Sequence, residues 1–291
     1  MYTENPSQQV TPLDEERAAP PATVSAGQVQ PIPTPQKREW WVAWLEVAKA
    51  LVLWTTSFLF LLFVPVIAAV PYLVYRVIAL GPPSPQALAV DKGLLFFTVL
   101  GILPAHLLTL AVTWMVVTDG GRRPFWKTIG FDWPERMSPA ATIIMSVLLA
   151  VALYGLALLV TYLYGERKTD LDLLIESSIY TRVATAFMAV ATAPLIEEVI
   201  YRGVLYPAIE KAAGVWIAIT AVSLLFAGVH VYQYRNNVAV IFVILLLSVV
   251  LTVSRARTGK VLPAFIIHLV FNGIQSILIV LGGFIKSDAL K

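Results

Sequence analysis

Long apolar runs separated by short polar stretches set the pattern of this chain. Ala50 to Tyr75, Gly93 to Thr118 and Ser138 to Gly165 carry no Asp, Glu, Lys or Arg. Each exceeds the roughly 20 helical residues that cross about 30 Å of hydrocarbon at about 1.5 Å per residue. Further apolar runs predict spans over Thr181 to Ala208, Val215 to Tyr232, Val238 to Ser254 and Val261 to Ile285. The pattern therefore predicts an all-α fold, a polytopic transmembrane helical bundle of about seven spans.

The polar stretches add organisation. Residues 1–37 hold seven prolines among Gln, Thr, Ala and Glu, with too few large apolar side chains to offset ordering entropy. A disordered, Pro-rich tail is expected there. No basic start followed by an apolar core marks a secretory signal, so the first span is expected to be retained. Trp40, Trp41 and Trp44 precede that span, where indoles favour the headgroup level, and Pro65 and Pro71 are expected to bend it. Gly120 to Pro139 mixes Arg122, Arg123, Lys127 and Arg136 with Phe125, Trp126, Phe131 and Trp133. That mixture suits a segment lying in the interface, or a loop anchored there. The expected divisions are the tail, N-terminal spans over 38–180 with the interfacial segment at about 120–139, and a core over 181–285.

Composition supports the membrane reading. Of 291 residues, 58% are hydrophobic and 13% charged, and mean hydropathy is +0.77. The absence of cysteine excludes disulfides, thiol nucleophiles, iron–sulfur clusters and Cys-ligated zinc. A net charge of +3 does not point to nucleic acid, because the basic residues are scattered over loops. They concentrate at Lys37 and Arg38, at Arg122 to Arg136, and at Arg255, Arg257 and Lys260. Alternating spans place these groups on one side, which predicts a cytoplasmic N-terminus.

Against that apolar background five ionisable residues stand out: Glu197, Glu198, Arg202, His230 and His268. Each costs from about 2.5 kcal/mol upward at bilayer depth and marks a candidate functional site. Glu198 and Arg202 are four apart in the order favoured for a helical ion pair. That pairing leaves Glu197 without a local counter-ion, the situation of a general base. If the chain turns near Ala213 and Gly214, Glu197 and His230 each lie about 16 residues from the turn, so antiparallel helices bring them to one depth. His268 and Asn272 share a helical face, about 12 and 18 Å deep counted from Lys260, against about 21 Å for Glu197 counted from Lys211. A carboxylate, two imidazoles and a carboxamide can activate water and donate hydrogen bonds to an oxyanion. His106 reads as hydrogen-bonded glue between helices.

Glu197-Glu198-Val-Ile-Tyr-Arg202, Phe226-Ala-Gly-Val-His230 and His268-Leu-Val-Phe-Asn272, with Arg257-Thr-Gly-Lys260 before the last, resemble the signature of the CPBP family. That family comprises type II CAAX prenyl endopeptidases and bacterial Abi, or bacteriocin-processing, proteins. The resemblance covers about residues 180–285. It implies a helical bundle in a bacterial plasma membrane that cleaves peptide or lipidated protein substrates within the bilayer. By that likeness Glu197 activates water with His230 as partner, His268 and Asn272 stabilise the oxyanion, and Glu198 and Arg202 order the site. Members are commonly called metalloproteases, and Glu197, His230 and His268 would make a His₂Glu zinc set with an open fourth position. A metal-free glutamate mechanism is the preferred expectation, since no HExxH helix is present and Asn272 suits an oxyanion better than zinc. No Gly-x-Ser nucleophile motif and no pair of intramembrane aspartates is visible. Two rivals remain, a non-catalytic immunity or scaffold protein of the same fold and a proton-coupled transporter, though paired broken helices are missing.

Overall fold

A backbone in hydrocarbon must satisfy its own hydrogen bonds, and apolar segments this long do so as helices. The computed structural model describes residues 40–164 and 167–288, with side chains as far as residue 282. The expected tail and the basic pair Lys37 and Arg38 lie outside the described residues. Seven helices are long and apolar enough to cross a membrane, and no strand occurs among the described residues. This is an integral, multi-pass, all-α membrane protein.

Helix α1 (Trp40–Leu80) runs unbroken through Pro65 and Pro71. The short α2 (Pro85–Ala89) leads into α3 (Lys92–Leu100) and α4 (Ile102–Val117), which together form the second span. Gly101 joins them where α1 comes close: a Cβ there would sit 2.9 Å from that of Ala68. The interfacial stretch contains α5 (Phe125–Ile129), and α6 (Pro139–Tyr164) is the third span. Outside the apolar runs, α7 (Asp170–Ser177) starts at a capping box formed by Thr169 and Asp172.

The fourth span is built in pieces: α8 (Ile179–Ala191), α9 (Ala193–Glu198), a π-helical turn (Val199–Leu205) and α10 (Tyr206–Ala213). Gly214 turns the chain into α11 (Val215–Tyr234), followed by α12 (Val238–Thr258) and α13 (Leu262–Asp288).

Burial differs from that of a water-soluble fold in how much apolar surface stays outside. Large apolar residues such as Ile67, Leu148, Trp216 and Leu224 are exposed, facing what would be lipid. Many helix contacts use small or hydroxyl-bearing residues, among them Ala105, Thr113, Ala150, Ala218, Ser248 and Ala264. Small residues let backbones approach where the hydrophobic effect gives no net drive between helices. Ile200, Leu205, Val222 and Phe226 pack around the π-helical turn with Ala50 and Leu53 of α1.

The interfacial stretch docks on this core. Ile129 packs on Val199, and a Cβ on Gly203 would lie 3.1 Å from that of Ile129. Val261 N–H donates to the Gly130 carbonyl (2.8 Å), and Lys260 Nζ lies 3.6 Å from Glu135. The basic stretches at 122–136 and 255–260 therefore meet at one end of the bundle.

Candidate active site

The fourth span breaks at Thr192, whose backbone (φ −122°, ψ −43°) leaves the helical region, and Pro194 starts α9. Five residues on, the helix widens. Tyr206 N–H donates to the Tyr201 carbonyl five residues back, the π pattern. Pro207 has no N–H for the Arg202 carbonyl in that pattern. Arg255 Nε of α12 supplies the missing donor at 3.1 Å.

Successive helical residues face different directions, and the two glutamates illustrate it. Glu198 is fully buried, whereas the Glu197 side chain is 22% exposed. Glu198 Oε1 accepts from Arg202 Nη1 (2.9 Å) and from His268 Nδ1 (2.9 Å), and its Oε2 has no partner among the described residues. Arg202, also fully buried, donates further to Ser248 O (3.0 Å), Ser248 Oγ (2.8 Å) and Thr252 Oγ1. Its guanidinium lies 4.9 Å from the Phe226 ring centre. Every charge here has a partner, as burial in a low-dielectric medium requires.

His268 spans both glutamates. Because its Nδ1 faces a carboxylate already paired with Arg202, Nδ1 is the protonated nitrogen, and Nε2 lies 3.6 Å from Glu197 Oε2. That second separation is an ion-pair distance, beyond hydrogen-bond length. His230 Nδ1 lies 2.8 Å from the Phe226 carbonyl, which can only accept, so Nδ1 carries the proton and the His230 Nε2 is left to accept. Asn272 Nδ2 donates to Ala189 O at 3.0 Å, keeping one N–H and its Oδ1 for other partners.

Glu197, His230, His268 and Asn272 all line one cavity of about 470 Å³. Glu198 and Arg202 sit behind it. The expected meeting of Glu197 with His230 takes the form of a shared cavity wall, while the residue at ion-pair distance from Glu197 is His268. Glu197, His230 and His268 do not form a three-ligand metal group, and no other such group occurs among the described residues.

Three more features border the site. His106 Nδ1 lies 2.8 Å from the Thr192 hydroxyl, tying α4 to the break before α9, and His106 lines the same cavity. Trp54 Nε1 donates to the Tyr201 hydroxyl at 2.9 Å, and both side chains line the cavity. Ser248 and Thr252 supply the rest of the Arg202 shell. Their four-residue spacing on an apolar helix was the signal available for that last pair.

Neither the curated proteins nor the solved structures yield a match to this chain. Residues 179–274 match the family model described as Type II CAAX prenyl endopeptidase Rce1-like, which supports the resemblance to the CPBP family carried by the Glu197, His230 and His268 motifs.

Proposed function

We propose that this protein is an intramembrane endopeptidase that hydrolyses peptide bonds of membrane-associated substrates with water activated by Glu197. The matched family is a protease family. The single observation that carries the mechanism is the presence of Glu197, His230, His268 and Asn272 on one cavity wall. Glu197, the more exposed carboxylate, takes a proton from a water molecule, and His230 Nε2 accepts that water's other hydrogen and orients it. Hydroxide adds to the substrate carbonyl. The developing oxyanion accepts from the free Asn272 N–H and from His268 Nε2–H. With Nδ1–H committed to Glu198, His268 donates through Nε2 only as imidazolium, whose charge the flanking carboxylates offset. Glu197 then returns its proton to the leaving amine, closing the cycle.

This mechanism routes no step through a metal. Its substrates are peptides or lipidated proteins reached from the bilayer, and the basic end of the bundle, with the N-terminus, faces the cytoplasm of a bacterial plasma membrane. Comparing membrane peptidomes from cells expressing wild type and Glu197→Gln tests the reading. Uncut substrates accumulate in the variant; identical peptidomes from a folded variant would sink it. The fully buried Glu198, Arg202, Ser248 and Thr252 network also suits a scaffold that retains polar groups for bundle specificity. That alternative predicts a cellular phenotype indifferent to Glu197→Gln.

A further inference from the structure

Tyr201 follows Glu197 by four residues and lines the same cavity. Its ring packs edge-on against Phe226, with centroids 5.1 Å apart. An indole nitrogen can only donate, so in the 2.9 Å bond from Trp54 Nε1 the phenol oxygen is the acceptor. The phenolic proton is left over, and no described residue accepts it. A donor has thus been fixed in orientation beside the candidate base and left without a protein partner.

Resting on the proteolytic reading, we propose that the Tyr201 hydroxyl binds substrate by donating to a backbone carbonyl next to the scissile peptide bond, with Trp54 as its positioning residue. The complement of an unpartnered donor in a cavity lined mostly by apolar side chains is an acceptor that would otherwise go unsatisfied. An extended peptide entering from lipid brings such acceptors at every residue, because its carbonyls have lost both helical partners and water. Trp54 belongs to α1, outside the segment 179–274 that matches the family. The first span therefore takes part in substrate recognition as well as in packing.

Tyr201→Phe removes the hydroxyl and keeps the ring. The test uses protein in liposomes and the internally quenched apolar peptide that wild type cleaves fastest from a synthetic set. Tyr201→Phe raises KM about three- to ten-fold with kcat unchanged, the effect of losing one neutral hydrogen bond made equally in ground and transition states. Trp54→Phe raises KM less, because the hydroxyl persists but is no longer held. The double variant Trp54→Phe/Tyr201→Phe leaves no donor stranded, so it is the stable control and shows the full KM increase. An unchanged KM in Tyr201→Phe and in the double variant overturns the inference, as does a loss confined to kcat. Glu197→Gln, assayed alongside, separates the two levels. Cleavage surviving that change overturns the proteolytic reading itself, whereas abolished cleavage with an unchanged Tyr201→Phe KM overturns only the role of Tyr201.

Discussion

Replacing Arg202 with methionine fills nearly the same volume but takes the cation away from a carboxylate with no access to water. Thr252 keeps a partner, because its Oγ1 already donates to Ser248 O at 2.7 Å, whereas the neutral Ser248 hydroxyl loses its Arg202 contact. The charged group left stranded is Glu198, whose Oε2 has no partner among the described residues and whose Oε1 keeps only His268. Breaking a buried pair by removing one member costs about 3–5 kcal/mol, and the packing change adds little when volume is conserved. Glu198→Gln strands the guanidinium instead, and falls near the low end of that range because Ser248, Thr252 and the Phe226 ring remain. The double variant removes both charges and costs less than the sum of the singles by at least about 2 kcal/mol. Reversible unfolding in mixed micelles, followed by helical circular dichroism, measures all three. Catalysis behaves differently: kcat falls in Glu198→Gln and in the double variant alike, because in both His268 loses the carboxylate that balances its charge. Singles that cost under about 1 kcal/mol, or a double additive within about 0.5 kcal/mol, would refute the pairing argument.

Asn272→Asp exchanges the free carboxamide donor for an acceptor while keeping the shape, and should lower kcat about 10²- to 10³-fold with KM little changed. A variant with normal kcat removes Asn272 from the oxyanion site. Purified protein is expected to keep its activity in chelator and to hold metal well below one atom per chain, checked by elemental analysis; stoichiometric zinc with chelator-sensitive turnover would overturn the metal-free mechanism. Asp91, in the loop before α3, has its carboxyl pushed up by burial, but hydrogen bonds from Leu94 N–H, Tyr72 and Arg76 outweigh this and hold it below the usual 3.8. A depressed carboxyl stabilises the fold fully above that unfolded value and loses the effect as pH falls through the lower folded value. Wild type should therefore lose more stability on acidification than Asp91→Asn, and parallel pH profiles would exclude the effect.

The spans were legible because span length follows from run length: all seven predicted apolar segments overlap a membrane-length helix. The Glu198 and Arg202 pair was legible for a similar reason, since four residues is one helical turn and the partners needed no tertiary information. Other features were not. The π-helical turn spans seven residues, too few for a period near 4.4 to be told from 3.6. Helix α7 was missed although Thr169-x-x-Asp172 marks its start, because apolar run length dominated the reading. Depth counting placed Glu197 and His230 together but could not say which way a ring turns. His230 Nδ1 is held by its own helix, and the residue that reaches Glu197 comes from α13, 71 positions downstream.

The irregular backbone accounts for how two adjacent glutamates play different parts. Adjacent side chains on a helix diverge by about 100°, so only one of them can face the cavity. Glu197 takes that direction and Glu198 turns towards α12 and α13, where Arg202 and His268 meet it. The extra residue of the π turn lies between Glu198 and Pro207, and it leaves the Arg202 carbonyl without an intrahelical donor. Arg255 fills that vacancy from α12, the same helix that holds the Arg202 side chain through Ser248 and Thr252. The widened turn is thus clamped by one neighbour at both its backbone and its buried charge. Strain or desolvation at such a turn persists only where surrounding contacts over-determine it. Here those contacts also fix His268 between the two carboxylates, so the groups that stabilise the irregular helix are those that orient the candidate catalytic imidazole.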